Sequence, residues 1–336
     1  MCLRGLVAKK ISMKISVIVP TYKRPELLLK CLKKLCEQNF AKQLYEVIVV
    51  TDGTDIETKS IVNLLWQQHN DFNIYCYSLD EKKGPAAARN KGAFLAKGEL
   101  ILFTDDDCLP HENWIQHFWN AYRFNQQKLV AFTGCTKVPC KDCPTDYEKN
   151  IAHLETAEFI TANCACTKAA FNLVKGFDED FPIAWREDSE FQFRLINHAI
   201  PIIKVTDAVV VHPVRAAHWG ISIKEQKKSM FNALLYKKHP ALYKQKISAR
   251  PAWMYYGMII LFMLCVASIF TSKFSVAVAA FLLWMIFVFI FTEKRLKGTS
   301  KKLSHVAEMF ATSIIIPFLS VFWTLYGSIK YKTLLL

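Results

Sequence analysis

Three consecutive aspartates, Asp105-Asp106-Asp107, follow one residue after the apolar run Leu100–Phe103. Like charges packed this closely raise one another's pKa and destabilise the loop that carries them. A divalent cation relieves the repulsion, and one or two carboxylates with room left for substrate phosphates suit Mg²⁺ or Mn²⁺. A solvated acidic turn is the plainer alternative, and only the setting of the triplet separates the two. Neither Gly-x-Gly-x-x-Gly nor Gly-x-x-x-x-Gly-Lys-Ser/Thr occurs, which speaks against a dinucleotide dehydrogenase and a P-loop ATPase. A nucleotide would be held in another way, for which Asp52, Arg89 and a metal are available.

The elements that must position these residues are readable from the pattern. Residues 15–20 form a β-branched run ending at Pro20, a buried strand. Pro25-Glu26 opens a helix with Leu27, Leu28, Cys31, Leu32 and Leu35 on its apolar side. Residues 47–50 and 72–77 read as the next two strands, with a helix between them running through Trp66. Gly84-Pro85 opens a third helix reaching Ala96, and residues 100–103 form a fourth strand that runs into the aspartates. This alternation predicts an α/β fold with a mostly parallel central sheet and right-handed crossovers. Ligands in such sheets bind beyond the carboxyl ends of the strands. Four of those ends are polar: Thr21-Tyr22, Asp52-Gly53, the loop 78–84 and Asp105-Asp106-Asp107. The setting therefore favours the cation over the solvated turn.

The segments 15–24 (ISVIVPTYKR), 46–55 (EVIVVTDGTD), 84–92 (GPAAARNKG) and 99–110 (ELILFTDDDCLP) resemble, in order, the motifs of family 2 glycosyltransferases of the GT-A fold. Residues 161–179 (TANCACTKAAFNLVKGFDE), and Glu187-Asp188 followed by Phe191 and Arg194-Leu195, resemble two further blocks of the same family. The resemblance spans about residues 14–215 and implies a GT-A, nucleotide-diphospho-sugar transferase fold. Pro20, Thr21 and Tyr22 would line the nucleotide pocket, Asp52 would bond the base (usually uracil), and Arg89 would lie near the nucleotide and its phosphates. Asp105 and Asp107 would form the Asp-x-Asp element on Mg²⁺ or Mn²⁺, with Asp106 near the ribose. Asp188 would be the catalytic base and Glu187 would help hold the acceptor. His212, ending the strand 209–211, would reach the metal or the diphosphate, or else be an ordinary loop histidine. One departure is Thr51, where the family usually carries an acid before the Asp52 position. The reaction implied is inverting transfer from a nucleotide-diphosphate sugar, UDP-sugar favoured.

The remainder of the chain has a different character. The formal net charge is +14, and residues 244–336 hold 11 Lys/Arg against only 2 Asp/Glu. The surplus thus flanks the most apolar stretches, a pattern of cytoplasmic membrane borders rather than of a nucleic-acid groove. Residues 251–272 and 274–292 are uncharged and each is long enough to span the hydrocarbon core. A third stretch, about 306–329, contains Pro317 and reads either as a kinked span or as an interfacial piece. Lys244, Lys246 and Arg250 before the first span and Lys294, Arg295, Lys297, Lys301 and Lys302 after the second place both flanks in the cytoplasm. The expectation is a multi-pass protein of the inner (cytoplasmic) membrane with its catalytic domain in the cytoplasm. Residues 219–239 read as an amphipathic helix, lying on membrane lipids or packing on the catalytic domain.

The resulting division is an extension over 1–13 without a signal peptide, a GT-A domain over 14–218, an interfacial linker over 219–248 and a membrane domain over 249–336. Partners would be the nucleotide sugar, a lipid-linked or glycan acceptor and membrane lipids, with no nucleic acid. The 11 cysteines are too dispersed for a disulfide scaffold and imply a reducing compartment. Cys135, Cys140 and Cys143 leave a zinc reading open beside that of ordinary thiols. Two other functions compete. A processive synthase would carry Gln-x-x-Arg-Trp, whereas here Gln192-Phe193-Arg194 has no Trp in register. A catalytically silent scaffold would have no need of the carboxylates at 105, 107 and 188.

Overall fold

The computed structural model describes residues 12–69 and 71–335, so residues 1–11 of the N-terminal extension lie outside the described residues. β1 (Ile15–Thr21), β2 (Tyr45–Thr51), β3 (Asn73–Ser78) and β4 (Leu100–Phe103) alternate with α1 (Pro25–Cys36), α2 (Ile56–Gln68) and α3 (Pro85–Leu95). There follow β5 (Leu109–Pro110), α4 (Trp114–Asn125), β6 (Ala131–Lys137), α5 (Asp146–Ala152), β7 (Cys164–Thr167), α6 (Lys168–Leu173), α7 (Glu187–Asn197) and β8 (Ile202–Val211). The strands form one sheet in the order β3-β2-β1-β4-β7-β6-β8-β5. The pairs β2–β3, β1–β2, β1–β4 and β6–β8 are parallel, while β4–β7, β6–β7 and β5–β8 are antiparallel.

The physical origin of this sheet is burial on both faces. Every residue of β1, β2 and β4 is buried. Along β1, Val17 and Val19 point to a core shared with Leu28, Leu32 and Leu35 of α1, and Ile18 points to the opposite core. α3 lies close on that second face because its residues are small. A Cβ added at Gly92 would meet Ile18 Cγ2 at 2.6 Å. The strand expected at 209–211 is the end of the longer β8, whose first half is too polar and too exposed to stand out in the sequence.

The chain divides into two compact units. The first comprises the chain up to Val138 together with Leu154–Pro213, and the second comprises Pro139–His153 together with Val214 onward. In the second unit, α8 (Ile221–Glu225), α9 (Met230–Lys238) and α10 (Pro240–Lys246) precede α11 (Trp253–Phe270), α12 (Phe274–Leu296) and α13 (Leu303–Lys330). The last three are long and apolar enough to cross a membrane.

One expectation for this region needs correction. The single amphipathic helix over 219–239 is instead α8, a 3₁₀ turn over Gln226–Ser229 and α9. Its apolar side chains Met230, Phe231, Leu234 and Leu235 are buried within the second unit, with α9 set against α13. Gly327 permits this, since a Cβ there would meet Met230 O at 2.4 Å. The third apolar stretch is one continuous helix of 28 residues that runs through Pro317.

α5 joins this unit through its side chains. Arg295 Nη2 donates to Asp146 Oδ2 at 2.8 Å, and Nη1 donates to Thr312 Oγ1 at 2.6 Å. His305 Nε2 accepts from the Asp146 amide at 3.3 Å. Arg295 is thus a buried cation with a matched set of acceptors, as a charge at the end of an apolar helix requires.

Candidate active site

Strand register builds the site. β4 lies beside β1 with Phe103 opposite Ile18, so continuing both strands by three residues brings Asp106 to Thr21. Thr21 Oγ1 donates to Asp106 Oδ2 at 2.6 Å, and Arg24 Nη1 donates to Asp106 Oδ1 at 3.0 Å. Burial pushes the Asp106 carboxyl up to about 6, with Arg24 and Thr21 pulling against it. Pro20 sits in β1, and the ring of Tyr22 just past it lies under Lys82 Nζ at 3.9 Å.

The pair Leu109↔Val211 of β5 and β8 runs antiparallel, so residues before Leu109 meet residues after Val211. Asp107 Oδ1 accordingly lies 3.6 Å from His212 Nε2. Ligand atoms of Asp105, Asp107, Cys108 and His212 all lie within 4.8 Å of one another. Burial and the neighbouring aspartates push the Cys108 thiol up, and its soft sulfur matches a hard divalent cation less well than oxygen ligands do. The remaining donors are two carboxylates and an imidazole whose Nδ1 is buried without a hydrogen-bond partner. That set fits a hard divalent cation such as Mg²⁺ or Mn²⁺. Cys135, Cys140 and Cys143 are not part of this cluster. It is the one group of three or more candidate metal ligands found among the described residues.

Asp52 follows β2 and accepts from the Lys83 amide at 2.6 Å and from the Gly84 amide at 2.9 Å. It thereby fixes the loop that starts α3. Gly84 has φ +98°, and a Cβ there would meet Pro182 O at 2.2 Å, so both its conformation and its space require glycine. One turn into α3, Arg89 is 2% exposed. Its Nη2 donates to Asp105 Oδ1 at 2.7 Å and its Nη1 to Glu187 Oε1 at 3.3 Å. Burial opposes the guanidinium charge, but Asp105 and Glu187 outweigh it and the Arg89 pKa is raised.

Glu187 and Asp188 begin α7, and Arg186 before them adopts φ +75°. Phe191 on the same helix stacks on Phe177 at 4.4 Å and anchors α7 to the core. Burial, then the charge of Asp188, push the Glu187 carboxyl up to about 8, against Arg89. Asp188 is raised as well, chiefly by burial, although its Oδ1 accepts from the Ser189 amide at 2.6 Å. The structure therefore gathers Asp105, Asp107 and His212, ties Thr21 to Asp106, and joins Asp105 to Glu187 through Arg89. Arg24 was not singled out from the sequence. The signal available was a cation two residues past Tyr22, just before the proline that opens α1.

A cluster of candidate metal ligands at the end of a parallel strand, beside a buried and a half-buried acid on a helix start, lies where a GT-A fold places its site. Residues 16–171 match the family described as Glycosyl transferase family 2. The validoxylamine A glucosyltransferase of Streptomyces hygroscopicus subsp. limoneus is 27% identical over 273 residues, covering 68% of this chain and 57% of that protein. The GalNAc(5)-diNAcBac-PP-undecaprenol beta-1,3-glucosyltransferase of Campylobacter jejuni is 43% identical over 94 residues, covering 28% of this chain and 29% of its own length. The chain thus spans only part of the length of these curated relatives. In fold it is similar to the mannosyltransferase PcManGT from Pyrobaculum calidifontis, solved in complex with GDP-Man and Mn²⁺. The TM-score is 0.58 at 17% identity, over 94% of this chain and 88% of that one.

Proposed function

We propose that the protein transfers a sugar from a nucleotide-diphosphate donor, UDP-sugar favoured, to a lipid-linked or cell-envelope glycan acceptor, inverting the anomeric carbon. The reaction takes place at the cytoplasmic face of the inner membrane, with α11, α12 and α13 as a multi-pass anchor. The observation that carries this reading is the joining of a hard-cation ligand group to the acid pair Glu187-Asp188 through one arginine. The undecaprenol-linked substrate named for the Campylobacter relative supports a lipid-linked acceptor. Basic flanks at Lys244, Lys246 and Arg250 and at Lys294–Lys302 support the orientation.

In this reading Asp105, Asp107 and His212 hold Mg²⁺ or Mn²⁺, which when bound supplies positive charge for the departing nucleoside diphosphate. Pro20, Thr21, Tyr22, Asp52 and Asp106 form the nucleotide-sugar side. Thr21 and Arg24 fix the Asp106 carboxylate toward the ribose, and Asp52 holds the loop 78–84 against the base. Asp188 takes the proton of the acceptor hydroxyl as its oxygen attacks C1, the C1–O bond to the diphosphate breaks, and the nucleoside diphosphate leaves. Glu187 steadies the acceptor beside it.

The test is a donor panel on the detergent-purified full chain. UDP-, GDP- and dTDP-sugars are supplied with Mg²⁺ or Mn²⁺, with and without membrane lipid extract, and released nucleoside diphosphate is scored. Metal-dependent release from one donor, lost in Asp188→Asn, is expected. Silence with every donor, lipid extract included, would favour the scaffold reading instead.

A further inference from the structure

Arg89 is the most deeply buried cation of the site, and no nucleotide phosphate is needed to account for its partners. Both terminal nitrogens already lie on carboxylates, Nη2 on Asp105 at 2.7 Å and Nη1 on Glu187 at 3.3 Å. Its Nε is buried without a hydrogen-bond partner. The guanidinium is flat and forked, so it can bridge two acids that a point-charge ammonium could not reach together. The carbon of the guanidinium group also lies 5.7 Å from the Phe177 ring, whose neighbour Phe191 belongs to α7. Asp105, by contrast, retains 28% side-chain exposure and belongs to the metal-ligand group.

We propose that Arg89 is a positioning residue that links the metal side of the site to the acid pair, and that its hold on Asp105 competes with the divalent cation. This rests on the metal reading given above. A buried cation beside Asp105 stands in for the ion when none is bound and keeps the carboxylates from repelling one another. An ion on Asp105 draws that carboxylate's charge to itself. Arg89 is then left with Glu187 as its chief hydrogen-bond partner, and Glu187 is the residue adjoining Asp188. Occupancy on the donor side is thereby transmitted to the acceptor side through a single rigid side chain. A merely structural arginine would do none of this, because its removal would loosen the site and lower metal affinity.

The decisive readout is Mn²⁺ binding to the full-length, detergent-purified protein, followed by the EPR signal of the free ion without donor or acceptor. Arg89→Met is expected to bind Mn²⁺ about tenfold more tightly than wild type, since a unit positive charge near the ion has gone. Glu187→Gln releases one of the two anchors, concentrates Arg89 on Asp105 and is expected to weaken Mn²⁺ binding. If Arg89→Met alone does not fold, the double variant Arg89→Met/Glu187→Gln leaves neither buried group without its partner, and tighter binding is expected there too. Transfer activity of Arg89→Lys is expected to stay low at saturating Mn²⁺, because the ammonium cannot hold both acids. Equal or weaker Mn²⁺ affinity in the Arg89→Met proteins would overturn the competition while leaving the metal site standing. No Mn²⁺ binding by wild type would overturn both.

Discussion

Asp107 and His212 stand 3.6 Å apart, Oδ1 to Nε2, although more than a hundred residues of chain separate them. The short antiparallel pair Leu109↔Val211 closes that gap, so the imidazole joins the cluster through sheet topology. His212→Ala should therefore weaken Mn²⁺ binding by at least about the 10–100-fold that even outer-sphere partners of metal ligands cost. Asp107→Asn should weaken it further while leaving the fold intact. Isothermal titration of Mn²⁺ into each variant checks this. An unchanged affinity in His212→Ala would assign the histidine to the loop alone.

Thr21→Val tests how β1 holds the second aspartate. The substitution preserves shape but leaves a buried Asp106 oxygen without its donor, a loss of about 1–3 kcal/mol. The denaturation midpoint should fall and the donor KM should rise, while Thr21→Ser should restore both. A Thr21→Val protein with wild-type stability would show that Arg24 alone satisfies Asp106.

The pH dependence of stability should expose Glu187. Its carboxyl titrates near 4.5 when unfolded and is pushed up to about 8 in the metal-free folded protein. Between those values the folded state binds the extra proton. The stability this confers is fully present below the lower value and is lost as pH rises through the higher one. Glu187→Gln cannot titrate and keeps a similar shape. Its melting temperature relative to wild type should climb across that window and level off above it. A constant difference between the two proteins would mean that Glu187 is already ionised throughout.

Asp146 and Arg295 should behave as a buried pair within the second unit. Breaking it with Asp146→Ala leaves a nearly buried guanidinium uncompensated, a cost of about 3–5 kcal/mol. The double variant Asp146→Ala/Arg295→Met should recover most of that loss in a thermal double-mutant cycle. Truncation before residue 244 removes Arg295 and His305 together, so 139–153 should become a site of limited proteolysis. A truncated protein resistant there would show that α5 needs neither partner.

Much of this molecule was legible because local chemistry and tertiary structure agree. β1, β2 and β4 are buried on both faces, so their β-branched runs announce them without knowledge of their neighbours. Pro25 and Gly84-Pro85 mark helix starts by backbone constraint alone, and three aspartates at the end of the fourth strand of an alternating β/α pattern favour a cation over a solvated turn. The apolar lengths of α11 and α12 follow from composition in the same way. Other features depend on residues distant in sequence. Nothing near Arg89 indicates that its fork spans Asp105 and Glu187, since α7 reaches it only after the chain has crossed the sheet. The apolar stripe of 219–239 has the same periodicity whether it meets lipid, a globular domain or α13, and the small residue Gly327 settles which. The separation of Pro139–His153 from the strands on either side is likewise decided by Arg295 and His305, some 150 residues further along. Periodicity and steric constraint act within a few residues and can be read directly from sequence. Charge pairing and close packing act through space, and only the folded chain determines which groups they bring together.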